Sequence, residues 1–257
     1  MDARNTSSMR LRVAAMVALV VGWLGLEAEP LWIAEPVTVV DLKPDCEVLF
    51  IASLTDGNIT VRGEERESIE LTIDRFDPED SRRNKARLDV DLDQGLVKLK
   101  LFDQLEKSNI VAVVPTGSFL RLRAVDGDVR VDDISGEIEV NAVDGDVLLR
   151  EVSGGIVANS VDGHVRVELT DRPLVNPLSL VTVDGDVLLV VERDLDANFS
   201  VSTIDGKFDC DLEYRSQGSS GGWRKFVGVN VTGTIGDGGP PISLKTIDGD
   251  VRIKARD

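Results

Sequence analysis

Aspartate stands before glycine at Asp126, Asp144 and Asp162, eighteen residues apart, and again at Asp184, Asp205 and Asp248. A chain that coils once in eighteen residues stacks such carboxylates into a column. Two chemistries use stacked or paired carboxylates. One is calcium ligation, as in β-rolls whose turn aspartates hold the ion. The other is glycoside hydrolysis by two carboxyl groups flanking a sugar bond. The residue after each repeat glycine weighs against calcium. It reads Asp128, Glu137, Asp146, Gly155, His164, Asp186, Lys207 and Asp250, so an imidazole and an ammonium interrupt the ligand column. The glycine-rich nonapeptide signature of calcium rolls is also missing. Turn chemistry is the simpler account, with Asp bonding its own backbone and glycine supplying positive φ. The column Asp126, Asp144, Asp162, Asp184, Asp205 and Asp248 stays as an alternative calcium site.

Hydrolysis fares no better. His164 is the single histidine of the chain and occupies a turn position of the repeat, so a His-based triad would have to borrow it. Sugar clefts normally offer aromatic platforms, and aromatics make up 4% of this sequence. The run TIGDGGPP, 234–241, lacks a following Lys-Ser and a helix, which makes it a loop and not a phosphate cradle. No catalytic residue and no cofactor is expected, and a carbohydrate-active β-helix enzyme is the weaker alternative. Cys46 and Cys210 lie far apart in sequence; they read either as a disulfide closing a long loop or as two separate small apolar residues on strands. In SSGGWRKFVGV, Trp223, Arg224 and Phe226 follow a flexible run. They read as an aromatic return that caps the core, or as anchors of an interaction patch.

The elements that must position these residues follow from the repeat itself. Gly127, Gly136, Gly145, Gly154 and Gly163 fall nine apart, and looser copies follow at Gly185, Gly206 and Gly249. With each glycine as zero, apolar residues stand at −2, +2 and +4: Val125, Val129 and Val131 around Gly127, and Val143, Val147 and Leu149 around Gly145. The +2 and +4 pair with a polar residue between is strand alternation. Asp-Gly between apolar strands also signals hairpins, but a fixed short period over many copies is better explained by coiling. Two strands and two turns make a rung, and equivalent positions stack into apolar columns. The expected fold is an all-β, single-chain solenoid with parallel rungs of about 18–22 residues and less regular N-terminal strands, with an antiparallel β-sandwich as the alternative. Six apolar positions per rung, including every −2 residue, are expected inside. The intervals of 22, 21 and 43 residues after Gly163 read as further rungs in sequence order, the last interval being two rungs of about 21 with a half-marked copy at VTGTI (231–235), and DRPLVNPLS (171–179) and RSQGSSGGW (215–223) read as loops between rungs. All eight glycines are expected as structural turns.

The bulk numbers bound the partners. The chain has 257 residues, is 42% hydrophobic and carries a formal net charge of −17. Such a surface repels nucleic acid and anionic lipid. Behind Arg10 and Arg12, the apolar run VAAMVALVVGWLGL (13–26) is short of the ~20 residues that span a bilayer. Residues 1–28 therefore read as a signal peptide, or as an uncleaved N-terminal anchor that would be the one membrane contact. Residues 36–257 form the expected domain.

At Val114-Pro115-Thr116-Gly117, followed by VDGDV and TIDGDV units and the variants VDGHV, IDGKF and ISGEI, the chain resembles bacterial β-strand-repeat proteins of adhesin type, including the auto-transporter adhesin head of GIN type. The resemblance spans roughly 36–257. It implies a β-solenoid and an adhesin-like role in a family of unknown biochemical function. Together these readings predict a non-catalytic exported protein, periplasmic, in the cell envelope or extracellular, that contacts an envelope or surface protein.

Overall fold

The structure is a computed structural model that describes residues 31–32, 37–42, 47–73, 87–93, 96–102, 108–216 and 228–256. The expected signal segment, Cys46 and the patch Trp223, Arg224 and Phe226 lie outside the described residues.

Among the described residues every regular element is a strand. The N-terminal region supplies β1 (Leu31–Trp32), β2 (Val37–Asp41), β3 (Glu47–Asp56), β4 (Ile59–Glu64), β5 (Ser68–Ile73), β6 (Arg87–Asp93), β7 (Leu96–Phe102) and β8 (Ile110–Pro115). The strict repeat supplies β9 (Phe119–Asp126), β10 (Val129–Asp132), β11 (Ile138–Asp144), β12 (Val147–Val152), β13 (Ile156–Asn159), β14 (Val165–Leu169), β15 (Leu178–Val181) and β16 (Val187–Val191). The C-terminal region adds β17 (Ala197–Thr203), β18 (Phe208–Cys210), β19 (Tyr214–Ser216), β20 (Val229–Ile235), β21 (Pro241–Lys245) and β22 (Val251–Ala255). Val and Ile dominate these segments because a branched Cβ packs well on a pleated surface.

Each rung places one strand in each of two sheets. The first sheet runs β1-β6-β7-β3-β9-β11-β13-β15-β21-β17-β20-β19, and the second β18-β22-β16-β14-β12-β10-β4-β8-β5-β2. Val129 lies beside Val147, and Val147 beside Val165, in parallel register. The sandwich alternative, which needs β10 folded back on β9, is excluded by this pairing. The core is the slab between the sheets. In the rung from Gly127 to Gly145 it receives Val129, Val131, Ile134, Ile138, Val140 and Ala142, all buried.

Two expectations are corrected here. The −2 residue is buried at the Ser-Gly steps, as Ile134 and Val152 show, but exposed at the Asp-Gly steps. The strand entering an Asp-Gly turn directs Ile138, Val140 and Ala142 inward, so alternation forces Val143 outward. The six inward positions of a rung therefore include Ala142 and not Val143.

The second correction concerns rung order. The last rung of the sequence, β21 and β22, does not sit at the end of the stack. β21 lies between β15 and β17, and β22 between β16 and β18. The N-terminal end mirrors this: β3 lies between β7 and β9, and β4 between β8 and β10. At the C-terminal end the chain reaches outward first and leaves a slot that β21 and β22 fill, whereas at the N-terminal end β3 and β4 come first and later strands are added on both sides of them. Antiparallel strands then cover the outer parallel ones: β6 on β7, β5 on β8, and β20 on β17. They occupy edges that would otherwise pair with other chains. Arg256, just past β22, pairs with Glu151 at 2.8 Å and Glu192 at 3.2 Å and donates to the Leu169 carbonyl.

Candidate functional site

The Asp-Gly turns stack along one edge of the solenoid, and each position of the six-residue unit can be asked what the fold requires of it. The glycines are required. Ideal Cβ atoms on Gly127, Gly145, Gly163, Gly185 and Gly249 would lie 2.1–2.4 Å from the glycine carbonyl oxygen of the rung beneath. These five, with Gly154, also have positive φ. Gly136 and Gly206 do not, yet an added Cβ would meet Ser118 O at 2.2 Å and Gly249 O at 1.8 Å. Close stacking, more than turn conformation alone, selects glycine at both the Asp-Gly and the Ser-Gly turns.

The +1 position is required for a different reason. The glycine N–H donates to the next rung's Asp carbonyl, as Gly145 does to Asp162 at 2.9 Å, and the +2 N–H donates to the next +1 carbonyl, as Val147 does to His164 at 2.8 Å. The +1 N–H points the other way and has no backbone acceptor. It is met by the +1 side chain of the rung beneath. Asn109 Oδ1 accepts from Asn58 N, Asn58 Oδ1 from Asp128 N, and Asp128 Oδ1 from Asp146 N. Asp146 Oδ1 then accepts from His164 N at 2.7 Å, His164 Nδ1 from Asp186 N at 2.9 Å, Asp186 Oδ1 from Asp250 N, and Asp250 Oδ1 from Lys207 N. Asn, Asp and His share an acceptor at the same distance from the backbone. Lys207 closes the ladder as the last donor and needs no acceptor. The Lys207 N–H, together with Arg252, holds the Asp250 carboxyl below the ordinary carboxylate range. Its contribution to stability is present above the unfolded-state value and is lost as pH falls through the depressed one.

His164 is thus a member of the inter-rung ladder, accepting from Asp186 N and donating its own N–H to Asp146. Its bond to Asp186 N places the ring proton on Nε2. Nitrogen-15 spectra of the neutral ring should show that tautomer. His164→Asn should leave stability within ~0.5 kcal/mol, and His164→Lys should cost about 1 kcal/mol because the Asp186 N–H loses its acceptor. Equal melting of the two variants would discard the ladder as the reason for this residue.

The −3 position is accounted for as well. Ser160 Oγ donates to Gly145 O, and Thr182, Thr246 and Thr203 Oγ1 donate to Gly163, Gly185 and Gly249 O, at 2.9–3.1 Å. Two positions remain. Among the described residues, the carboxylates of Asp126, Asp144, Asp162, Asp184, Asp248 and Asp205 accept no hydrogen bond and meet no ion-pair partner, and all six residues are exposed. The expectation that these aspartates bond their own turn is corrected: the bonding aspartates are those after the glycine. Beside them Val125, Val143, Val161, Val183, Ile247 and Ile204 form an exposed aliphatic column, from 41% exposed at Val183 to 52% at Ile204. The sequence carried the signal for this column, since stepping back by twos from Ile138 excludes Val143 from the core.

These carboxylates follow the strand spacing of ~4.8 Å, so each neighbouring pair costs about 1 kcal/mol before salt screening. A groove of about 400 Å³ runs along the edge, floored by Gly145, Gly163 and Gly185 and walled by Asp144, Asp162 and Asp184 on one side and Asp128, Asp146 and His164 on the other. Among the described residues no three Asp, Glu, His or Cys side chains are grouped to hold a metal ion. Cys210, on β18, donates to the Leu212 carbonyl at 3.5 Å, and burial pushes its thiol pKa up with help from Asp211 and Asp209. That is the reverse of an activated nucleophile. Near it Phe199, Phe208 and Tyr214 cluster with ring centroids 5.1–6.1 Å apart, a contact the sequence did not point to.

The model of one family, Toastrack DUF4097, matches residues 50–254. A candidate cell adhesion protein from Clostridium sporogenes ATCC 15579 superimposes with a TM-score of 0.53 at 11% identity, over 86% of this chain and 99% of that one. At that identity the likeness is one of fold. Candidate adhesins from Bacteroides fragilis NCTC 9343 and Parabacteroides merdae ATCC 43184 give TM-scores of 0.39 and 0.23 at 10% identity, covering 88% and 84% of this chain and 98% and 95% of theirs. No curated protein matches the sequence.

Proposed function

The chain belongs to the Toastrack DUF4097 family, and from that premise we propose that it is a non-catalytic contact scaffold of the bacterial cell envelope or surface, presenting its Asp-Gly edge to a protein partner. One observation carries the reading. In a unit whose other positions are each used by the fold, an exposed aliphatic and an unpaired carboxylate recur on six successive rungs. Neither is needed for stacking, and the carboxylate column opposes it. A surface kept against its own stability cost fits recognition. The adhesin-like neighbours and the basic-then-apolar start of the chain support placement outside the cytoplasm, with residues 1–28 as the export signal. The structural roles of His164 and of the +1 aspartates support a non-catalytic reading.

Capture from envelope extract by the immobilised full-length chain tests this. Wild-type protein should retain a partner that Val143→Thr/Val161→Thr/Val183→Thr does not. Threonine keeps the strand propensity of these exposed positions, so the variant should melt with the wild type. Retention untouched by the substitutions would move the contact elsewhere. Turnover of a polysaccharide that disappears on replacing a single aspartate would replace the scaffold with an enzyme.

A further inference from the structure

Resting on the contact-scaffold reading of the Asp-Gly edge, we propose that its occupant is an amphipathic α-helix whose apolar stripe lies on the Val/Ile column and whose basic flank meets the aspartates. The stacking order along the edge is Val125, Val143, Val161, Val183, Ile247 and Ile204, because Asp126, Asp144, Asp162, Asp184, Asp248 and Asp205 pair in that order. One aliphatic side chain therefore recurs every ~4.8 Å along the solenoid axis, over a length of roughly 24 Å.

Spacing selects the occupant. A helix with apolar residues at i, i+3, i+4 and i+7 offers one about every 5.3 Å, so five steps accumulate only ~2–3 Å of slip. An extended chain offers same-face side chains about every 6.7 Å and slips by ~9–10 Å over the same distance. Strand addition is closed here in any case. The backbone at this edge is already paired between rungs, as Val143 O accepts from Asp162 N and Val161 O from Asp184 N. About sixteen helical residues cover the column at 1.5 Å each.

Charge selects the flank. The six carboxylates run directly beside the aliphatic column, and among the described residues no cation pairs with them. On the other side of the column, four residues before each glycine, stand Arg123, Asn141, Asn159, Val181, Lys245 and Ser202, a row without carboxylates. The complement is thus a helix with Lys or Arg along one flank and neutral residues along the other. A second copy of this chain, carrying the same acidic edge, is repelled. So is a nucleic acid. The glycine floor lets ammonium or guanidinium tips settle between the carboxylates without meeting a side chain.

The test uses two fluorescein-labelled synthetic peptides of eighteen residues and identical composition (Leu, Lys, Gln, Ala). One arranges Leu as a helical stripe with Lys along one flank; the other is scrambled to dissolve the stripe. Fluorescence anisotropy against the full-length chain at physiological salt should show the striped peptide binding at least tenfold tighter than the scrambled one. Val143→Thr/Val161→Thr/Val183→Thr and Asp144→Asn/Asp162→Asn/Asp184→Asn should each weaken it at least tenfold, with melting temperatures confirming both folds. Circular dichroism should show helicity gained on binding. Equal affinity for both peptides, or no binding of either, overturns the helix and leaves the scaffold reading to the extract experiment. Loss with the aspartate variant alone also overturns it, in favour of a charge-only edge. Striped-peptide binding that neither triple variant weakens overturns the helix at this edge and counts against the scaffold reading too.

Discussion

Gly145→Val should lower the free energy of unfolding by about 2–6 kcal/mol. A β-branched residue at the φ of 148° costs ~1–3 kcal/mol. Its Cβ would also lie 2.3 Å from Gly127 O, backbone that is itself pinned between rungs, and such overpacking adds ~1–3 kcal/mol. Denaturant melts of three companions separate the causes. Gly136→Ala has no left-handed φ to relieve but would bring a Cβ within 2.2 Å of Ser118 O, so it should also be costly. Gly117→Ala, with nothing within 4 Å, should be neutral. Asp144→Asn should be neutral or slightly stabilising, because the carboxylate is unpaired and its column self-repels. A mild Gly136→Ala beside a severe Gly145→Val would mean that conformation, and not close stacking, selects these glycines.

That contrast marks what could be read before the structure. The period of Gly127, Gly136 and Gly145 specified coiling, and the +2 and +4 valines specified the inward faces, because alternation and stacking both act locally. The outward Val143 was legible in principle. Apolar character alone does not place it inside, because buried positions are apolar but apolar residues need not be buried. The role of Asp146 and His164 was not legible. It depends on which N–H a stacked neighbour leaves unpaired, a property of two rungs together. The interleaved rung order was equally out of reach, since the intervals after Gly163 fit linear addition just as well, and only register distinguishes them.

The rung order gives the second large expectation. In a solenoid built in sequence order, removing the last rung would only shorten the stack. Here, ending the chain after Gly239 should abolish cooperative folding. It removes Ile242, Leu244, Val251 and Ile253, each at most 1% exposed. At roughly 1.5–3 kcal/mol per side chain, that loss of about 6–12 kcal/mol rivals the whole stability of a typical domain. It also leaves β17 and β18 without the strands that join them to β15 and β16. Far-UV circular dichroism and a denaturant melt of the truncated chain read this directly. A synthetic peptide of residues 240–257 added in trans should restore the transition in a concentration-dependent way. A truncated chain that still melts cooperatively would refute the interior placement of the last rung.

The same slot bears on when the molecule can exist at all. A ribosome delivers residues in sequence order, so strands 241–245 and 251–255 emerge after the strands they lie between. Until they do, 178–181 and 197–203 have nothing between them, although both can already be hydrogen-bonded on their other sides. The slot therefore closes only once these two strands are available, and it closes contacts of long sequence separation, which is slow. A prematurely terminated product cannot pass as a shorter but sound version of the protein. It keeps an open seam that proteases and chaperones can recognise.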